Sequence, residues 1–331
     1  MGYVARATLN GSYPRYPGVA RLYSRLASGK LSEDGFGREI LKYVRKLFTQ
    51  LKASGVEFFT DGMFRWDDIF NPLIRFVRGV EVDGLTRFYD NNFFFRSPVV
   101  RGRLGLREGC PIPTWFRESL RVAAEVFGNG STLKQPLPGP ITLATNSVDE
   151  FYGDPATLVH EWGSEVLEPL INELVRAGCR VVELHEPSLT WGGVKQAVLS
   201  SGVKVLVEII ESVKADVWVL TYFKPVSRFR RYFSELSRAV VGVDLTADRG
   251  RGYLRLIKEC GVGRVMLGAV DSRNTLMEGV KEVVREVRAA LRAGATEVYV
   301  GNNAPMDFIP EVVASRKVKL LGRVARYLRG G

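Results

Sequence analysis

Short runs of apolar, often β-branched residues recur along this chain. Longer segments lie between them, with apolar residues returning every three to four positions. The short runs predict strands over Val4–Leu9, Val56–Thr60, Ser131–Gln135, Arg180–Leu184, Asp216–Leu220, Val240–Val243, Arg264–Leu267 and Glu297–Val300. The longer segments predict helices over Gly37–Ala53, Ala156–Ala177, Phe229–Arg238, Gly279–Arg292 and Ile309–Leu328. Gly55, Gly178 and Gly202 read as glycines that close helices in the left-handed conformation. Strands alternating with helices point to an α/β fold, a closed (β/α)8 barrel of the TIM type. A doubly wound open sheet is the competing arrangement.

Residues 61–130 break the alternation. Asp61–Asp68 is followed by a helix-like stretch and then by Leu85–Leu104, with Asn91–Phe95 in its middle. This predicts a hairpin insertion after the second strand, then a helix over Pro113–Phe127. The insertion falls on the side of a barrel where sites form. No linker rich in Pro, Gly and Ser divides the chain, so residues 1–331 read as one barrel domain with an insertion at about 61–130.

Composition narrows the class. Apolar residues make up 46% and charged residues 25%, enough for a sizeable core. The three cysteines, Cys110, Cys179 and Cys260, form no Cys-x-x-Cys pair, which excludes a disulfide scaffold and a zinc ribbon. An apolar run of membrane-spanning length and a signal-peptide pattern are both missing, so a cytoplasmic protein without membrane contact is expected. The formal net charge is +11, which favours anionic ligands. The basic residues are scattered among helices, and the densest stretch, Pro225–Arg231, offers only Arg228, Arg230 and Arg231. Nucleic acid is therefore not the expected partner, and a small-molecule substrate is.

In a barrel, chemistry gathers at the C-terminal ends of the strands. The first strand delivers Ser12, a hydroxyl and an N–H, beside Gly11. The second delivers Asp61, then Arg65, which suits a substrate carboxylate or a surface ion pair. Asp67 and Asp68 serve equally well as helix caps. The third runs through Pro138-Gly139-Pro140 to Thr142, which lines a pocket or begins a helix, and on to Asn146. The fourth ends in His185 and Glu186: a general acid or base and an acceptor for a ligand N–H, or a structural hydrogen-bonded pair. Tyr222, Asp244, Asp271 and Asn302 follow the remaining four strands. Glu186 is expected to be the main ligand anchor, with all these groups converging on one cleft.

Five segments, in order, resemble the cobalamin-independent methionine synthase family, its C-terminal catalytic barrel and its short archaeal forms. They are Asn10–Pro14 (NGSYP), Thr60–Asp68 (TDGMFRWDD), Leu137–Thr142 (LPGPIT), Glu183–Leu189 (ELHEPSL) and Leu267–Asn274 (LGAVDSRN). The resemblance covers essentially the whole chain. It implies a (β/α)8 fold, a reduced folate or pterin as methyl donor, and transfer to a thiolate held on zinc. The positions that match the family's zinc ligands are Val219, Thr221, Asp244 and Ala304, so zinc is not expected. Met63 stands where the family has a glutamate, His185 where it has an aspartate, and Asn146 near its tryptophan; Ser12 and Glu186 are retained. The resemblance thus implies a methyltransferase homologue that moves a C1 group to a thiol or other acceptor by a route without zinc. A non-catalytic paralogue binding a pterin or a partner protein, and a low-efficiency methionine synthase, are the alternatives. In the paralogue, Trp66, Phe93–Phe95 or Trp191 would fill the mouth.

Overall fold

The computed structural model describes residues 4–128 and 130–329, apart from the side chains of Val4 and Arg228. Its strands are β1 (Val4–Ala7), β2 (Phe58–Phe59), β3 (Val77–Arg87), β4 (Phe94–Leu106), β5 (Thr132–Leu133) and β6 (Gln135–Pro138). Then come β7 (Val148–Asp149), β8 (Val181–His185), β9 (Asp216–Leu220), β10 (Val240–Asp244), β11 (Arg264–Val270) and β12 (Glu297–Asn302). Seven strands form one parallel sheet in the order β1-β12-β11-β10-β9-β8-β6. Only Lys134 separates β6 from β5, which pairs with β2 through Phe58↔Thr132 and Phe59↔Leu133. A parallel bridge from Thr8 to Phe58, with Leu9 N–H donating to the Phe58 carbonyl at 2.9 Å, joins β2 to the β1 side. Counting β5–β6 as one strand, these bonds link eight strands into a ring with helices outside, the TIM-barrel arrangement.

The interior is built in layers. Phe58, Trp218 and Tyr299 pack against one another with ring centroids 4.4–5.6 Å apart, among Val181, Val240 and Met266. Above them lies a polar layer: the Lys134 ammonium sits 4.4 Å over the Trp218 ring and contacts Thr8, Asn10 and Glu183. The mouth comes next, and the inserted hairpin lies over it. That hairpin pairs β3 with β4, and β4 pairs with β7. Its turn brings Phe88 and Tyr89 against Phe223, Tyr89 against Trp191, and Phe93 against Phe308.

Several expected boundaries move. The hairpin spans Val77–Leu106, because residues 88–93 are its turn and Phe94 and Phe95 already belong to the second strand. The helix-like stretch before it is a single 3-10 turn, Leu73–Phe76. Gly202 does not close a helix; it lies inside the helix Gln196–Ser212, where a Cβ would stand 2.2 Å from Ile141. Close approach, not backbone freedom, is what needs glycine there. Gly55 and Gly178 do have positive φ after helix ends. The helix expected over Phe229–Arg238 is one turn, Arg230–Phe233, and the pattern missed the helices Pro17–Ala27 and Tyr253–Cys260. Among the described residues, no helix is long and apolar enough to cross a membrane.

Candidate functional site

Between hairpin and barrel mouth lies a cavity of about 250 Å³. Its walls are aromatic and apolar, with Trp66, Phe88, Phe93, Phe95, Leu137 and Phe308 among them. Its polar floor holds Ser12, His185 and Asp307, with Arg15 at the rim. The aromatic faces suit a flat ring, and the floor groups supply hydrogen bonds that orient it. Met63 lines the cavity with φ +54°, and Phe223 beside it has φ +76°. Left-handed backbone at bulky residues is costly and collects at functional sites.

The floor is held from below. Glu183, fully buried, accepts the Gly11 N–H at 2.9 Å, pairs with Lys134, and lies 3.3 Å from His185 Nε2. Burial pushes the Glu183 carboxyl up, but the Lys134 ammonium and His185 outweigh it and hold it below the usual range. Burial lowers the Lys134 ammonium to about 8, with Glu183 opposing. The His185 ring bridges two partners, with Nε2 facing Glu183 and Nδ1 lying 3.3 Å from the Tyr222 hydroxyl. Buried Tyr222 is pushed well above the usual tyrosine range, so it keeps its proton.

Only some of the expected site residues meet. Ser12 and His185 line the cavity. Glu186 does not. Its carboxyl group is fully buried and accepts the N–H groups of Ile141 and Thr142 at 2.8 and 2.9 Å and the Thr142 hydroxyl at 2.6 Å. It therefore caps the helix Pro140–Thr145, and Thr142 is consumed as its donor. Gly139 permits this approach, since a Cβ there would lie 2.2 Å from the Glu186 carboxyl carbon. Asn146 donates to the Thr142 carbonyl and to Tyr89, at 2.8 and 3.3 Å, and so tethers the hairpin.

The others also do structural tasks. Asp61 accepts from Met63 N–H and the Ser119 hydroxyl. Arg65 turns away from the mouth, to Glu118 at 2.6 Å and over Trp115. Asp244 is buried and takes donors from Phe223, Thr246, Ala247 and Asn303. Asp271 caps its own turn at Arg273, and buried Asn302 ties strand ends together through Asn10. Convergence on one cleft fails because short strand-end loops need these groups to satisfy their own backbone.

Sequence reasoning missed Asp307. The residue is partly buried, and its Oδ1 is buried without a hydrogen-bond partner among the described residues. Burial raises its carboxyl, opposed by the Ser12 hydroxyl, Arg15 and His185. Its sole sequence signal is an acidic residue a few positions after the last strand, in a loop rich in other polar residues.

A family model described as "Cobalamin-independent synthase, N-terminal domain" matches residues 73–294. The chain belongs to the cobalamin-independent methionine synthase family. The match is to the family's N-terminal domain, not to the C-terminal catalytic barrel with which the motifs were compared. The chain is 24% identical to a methionine synthase of Saccharolobus solfataricus, over 94% of this chain and 91% of the relative. A methionine synthase of Pyrococcus furiosus is 20% identical over 96% and 91%. The fold is also that of a B12-independent methionine synthase from a Shewanella species, solved with selenomethionine, at TM-score 0.78 and 19% identity over 98% and 97%.

The zinc implied by this family does not fit the residues at the matching positions. Val219 and Ala304 carry no donor, and Thr221 gives its hydroxyl to the Gly242 carbonyl at 2.8 Å. Asp244 already takes several donors and has Arg273 3.8 Å away. Among the described residues, no three His, Cys, Asp or Glu side chains gather as a metal site would require.

Proposed function

We propose that this methionine-synthase-family protein binds the ring of a reduced pterin or folate in the mouth cavity and passes its C1 group to an acceptor that needs no zinc-held thiolate. The observation that carries the reading is the free, buried Asp307 Oδ1 on the floor of an aromatic-walled cavity. A pterin ring offers flat faces to Trp66, Phe88 and Phe308 and N–H donors to such an oxygen. The enclosed 250 Å³ is below the roughly 300–1,000 Å³ usual for drug-sized ligands, so the ring fits inside and any tail extends outward. In this reading His185, which lines the cavity, holds or moves a proton at the ring's edge, and the hairpin aromatics exclude water.

A second reading, a non-catalytic pterin-binding paralogue, draws on Glu186, Asp244 and Asn302, all spent on structural bonds. Calorimetry with reduced pterins, amino acids and small dicarboxylates, on wild type and Asp307→Asn, tests the site. Reduced pterins should bind, and Asp307→Asn should weaken them about ten-fold or more, since a hydrogen bond to a charged group is worth about 1.5–3 kcal/mol. Equal affinity in both proteins removes Asp307 from the site. Binding without methyl transfer to any thiol or amine acceptor favours the second reading.

A further inference from the structure

The tertiary structure collects on one outer face the cations that the sequence scatters. Helix Val280–Arg292 carries Lys281, Arg285, Arg288 and Arg292 at spacings of four, three and four residues. Helix Glu311–Leu328 carries Arg316, Lys319, Arg323 and Arg326 at three, four and three. Each set lies on one side of its helix, and all eight are exposed. The second helix packs between the first and helix Glu33–Ser54, which adds exposed Lys46. Two surface grooves run between the three helices. One, of about 340 Å³, is lined by Lys281, Arg285, Arg288 and Arg292 with Tyr327. The other, of about 580 Å³, is lined by Lys46, Lys319, Arg323 and Arg326 with Thr49 and Gln50.

These nine cations make no ion pair among the described residues, because nearby acids are engaged elsewhere. Glu286 pairs with Arg251, Glu278 with Lys317, Glu57 with Arg329, and Glu311 accepts from Tyr13. Glu282 is the one exposed acid on the two row-bearing helices. A face kept this positive, without internal neutralisation, carries a cost in self-repulsion that a polyanion relieves.

Its chemistry selects among polyanions. Protein interfaces centre on aromatic and apolar side chains, and membrane-surface helices insert them. Apart from Val284, which is buried, and the small Ala53, the apolar side chain lining these grooves is Tyr327. Six of the nine cations are arginine, whose planar fork matches phosphate oxygens. At 1.5 Å per residue the rows run about 16 and 15 Å, the scale over which a duplex presents several phosphates per strand. We propose that this three-helix face binds the phosphate backbone of a nucleic-acid duplex without reading its sequence.

The test is fluorescence anisotropy with a labelled DNA duplex of about two helical turns, between 50 and 200 mM salt. If about six cations engage, log K should fall against log salt with a slope near −5, roughly 10³-fold across that range. The variant Arg288→Ala/Arg292→Ala/Arg323→Ala/Arg326→Ala should bind at least about ten-fold more weakly, with a slope near −2. Lys204→Glu/Lys214→Glu removes the same net charge from exposed positions outside this face and should stay within about three-fold of wild type. All six substituted residues are exposed, so melting temperatures should be unchanged. Three results overturn the proposal: no duplex binding at 50 mM salt, equal weakening in both variants, or binding to phosphatidylserine vesicles but not to duplex.

Discussion

Two buried acids three positions apart, Glu183 and Glu186, show how environment assigns a role. Glu186 caps a helix, and burial pushes its carboxyl up to about 8 against three donors. The folded protein therefore keeps a proton there that the unfolded chain, near the ordinary 4.5, has released. The stability this contributes is full below about pH 4.5 and is lost as pH rises through about 8. In Glu186→Gln, urea midpoints at pH 5 and pH 8.5 should differ less than in wild type. Glu186→Ala should cost about 1–3 kcal/mol for each donor left unpaired. Glu183 behaves oppositely because it faces a cation. Lys134→Met should destabilise by about 3–5 kcal/mol, leaving Glu183 buried without its ammonium partner, and Lys134→Met/Glu183→Leu should recover much of it. Equal losses in single and double variants would show the pair is not coupled.

At the level of elements, glycines mark where backbones touch. A Cβ on Gly322 would lie 1.4 Å from the Ser54 carbonyl oxygen, so helix Glu311–Leu328 crosses the end of helix Glu33–Ser54 in direct contact. Gly322→Ala should cost about 3 kcal/mol or more, read as a lowered melting temperature by circular dichroism. These contacts explain a misjudged element. In sequence Gly202 looks like a terminator, yet a packing glycine and a capping glycine are the same letter. The short helices went unseen for a related reason: two or three turns carry too few apolar repeats to show a period.

At the scale of the whole molecule, the inserted hairpin and the barrel enclose the cavity together. Tyr89 hydrogen-bonds Ser188 at 2.5 Å, and Lys224 lies 3.7 Å from Asp90, so the turn is latched to the loops after β8 and β9. A bound reduced pterin should slow amide exchange over residues 88–95 while barrel strands change little, measured by hydrogen–deuterium exchange. Uniform protection of the barrel, with the turn unaffected, would place the ligand elsewhere.

The barrel was legible in the sequence because each strand run and each long helix is a local pattern, and the order of local patterns limits topology. The family motifs were legible for the same reason, and so were Ser12 and His185 as cavity residues. What the sequence left undecided was direction and neighbourhood. Glu186 and Asp307 are both acids just past strand ends, but only packing turns one onto a helix terminus and leaves the other's oxygen free in a cavity. Lys46 lies more than 200 residues before the other eight cations, and the shared face exists only once helix Glu33–Ser54 and the last two helices lie side by side. Periodicity sets which side of its own helix a residue occupies; which sides meet is decided by ring closure, a contact between the two ends of the chain.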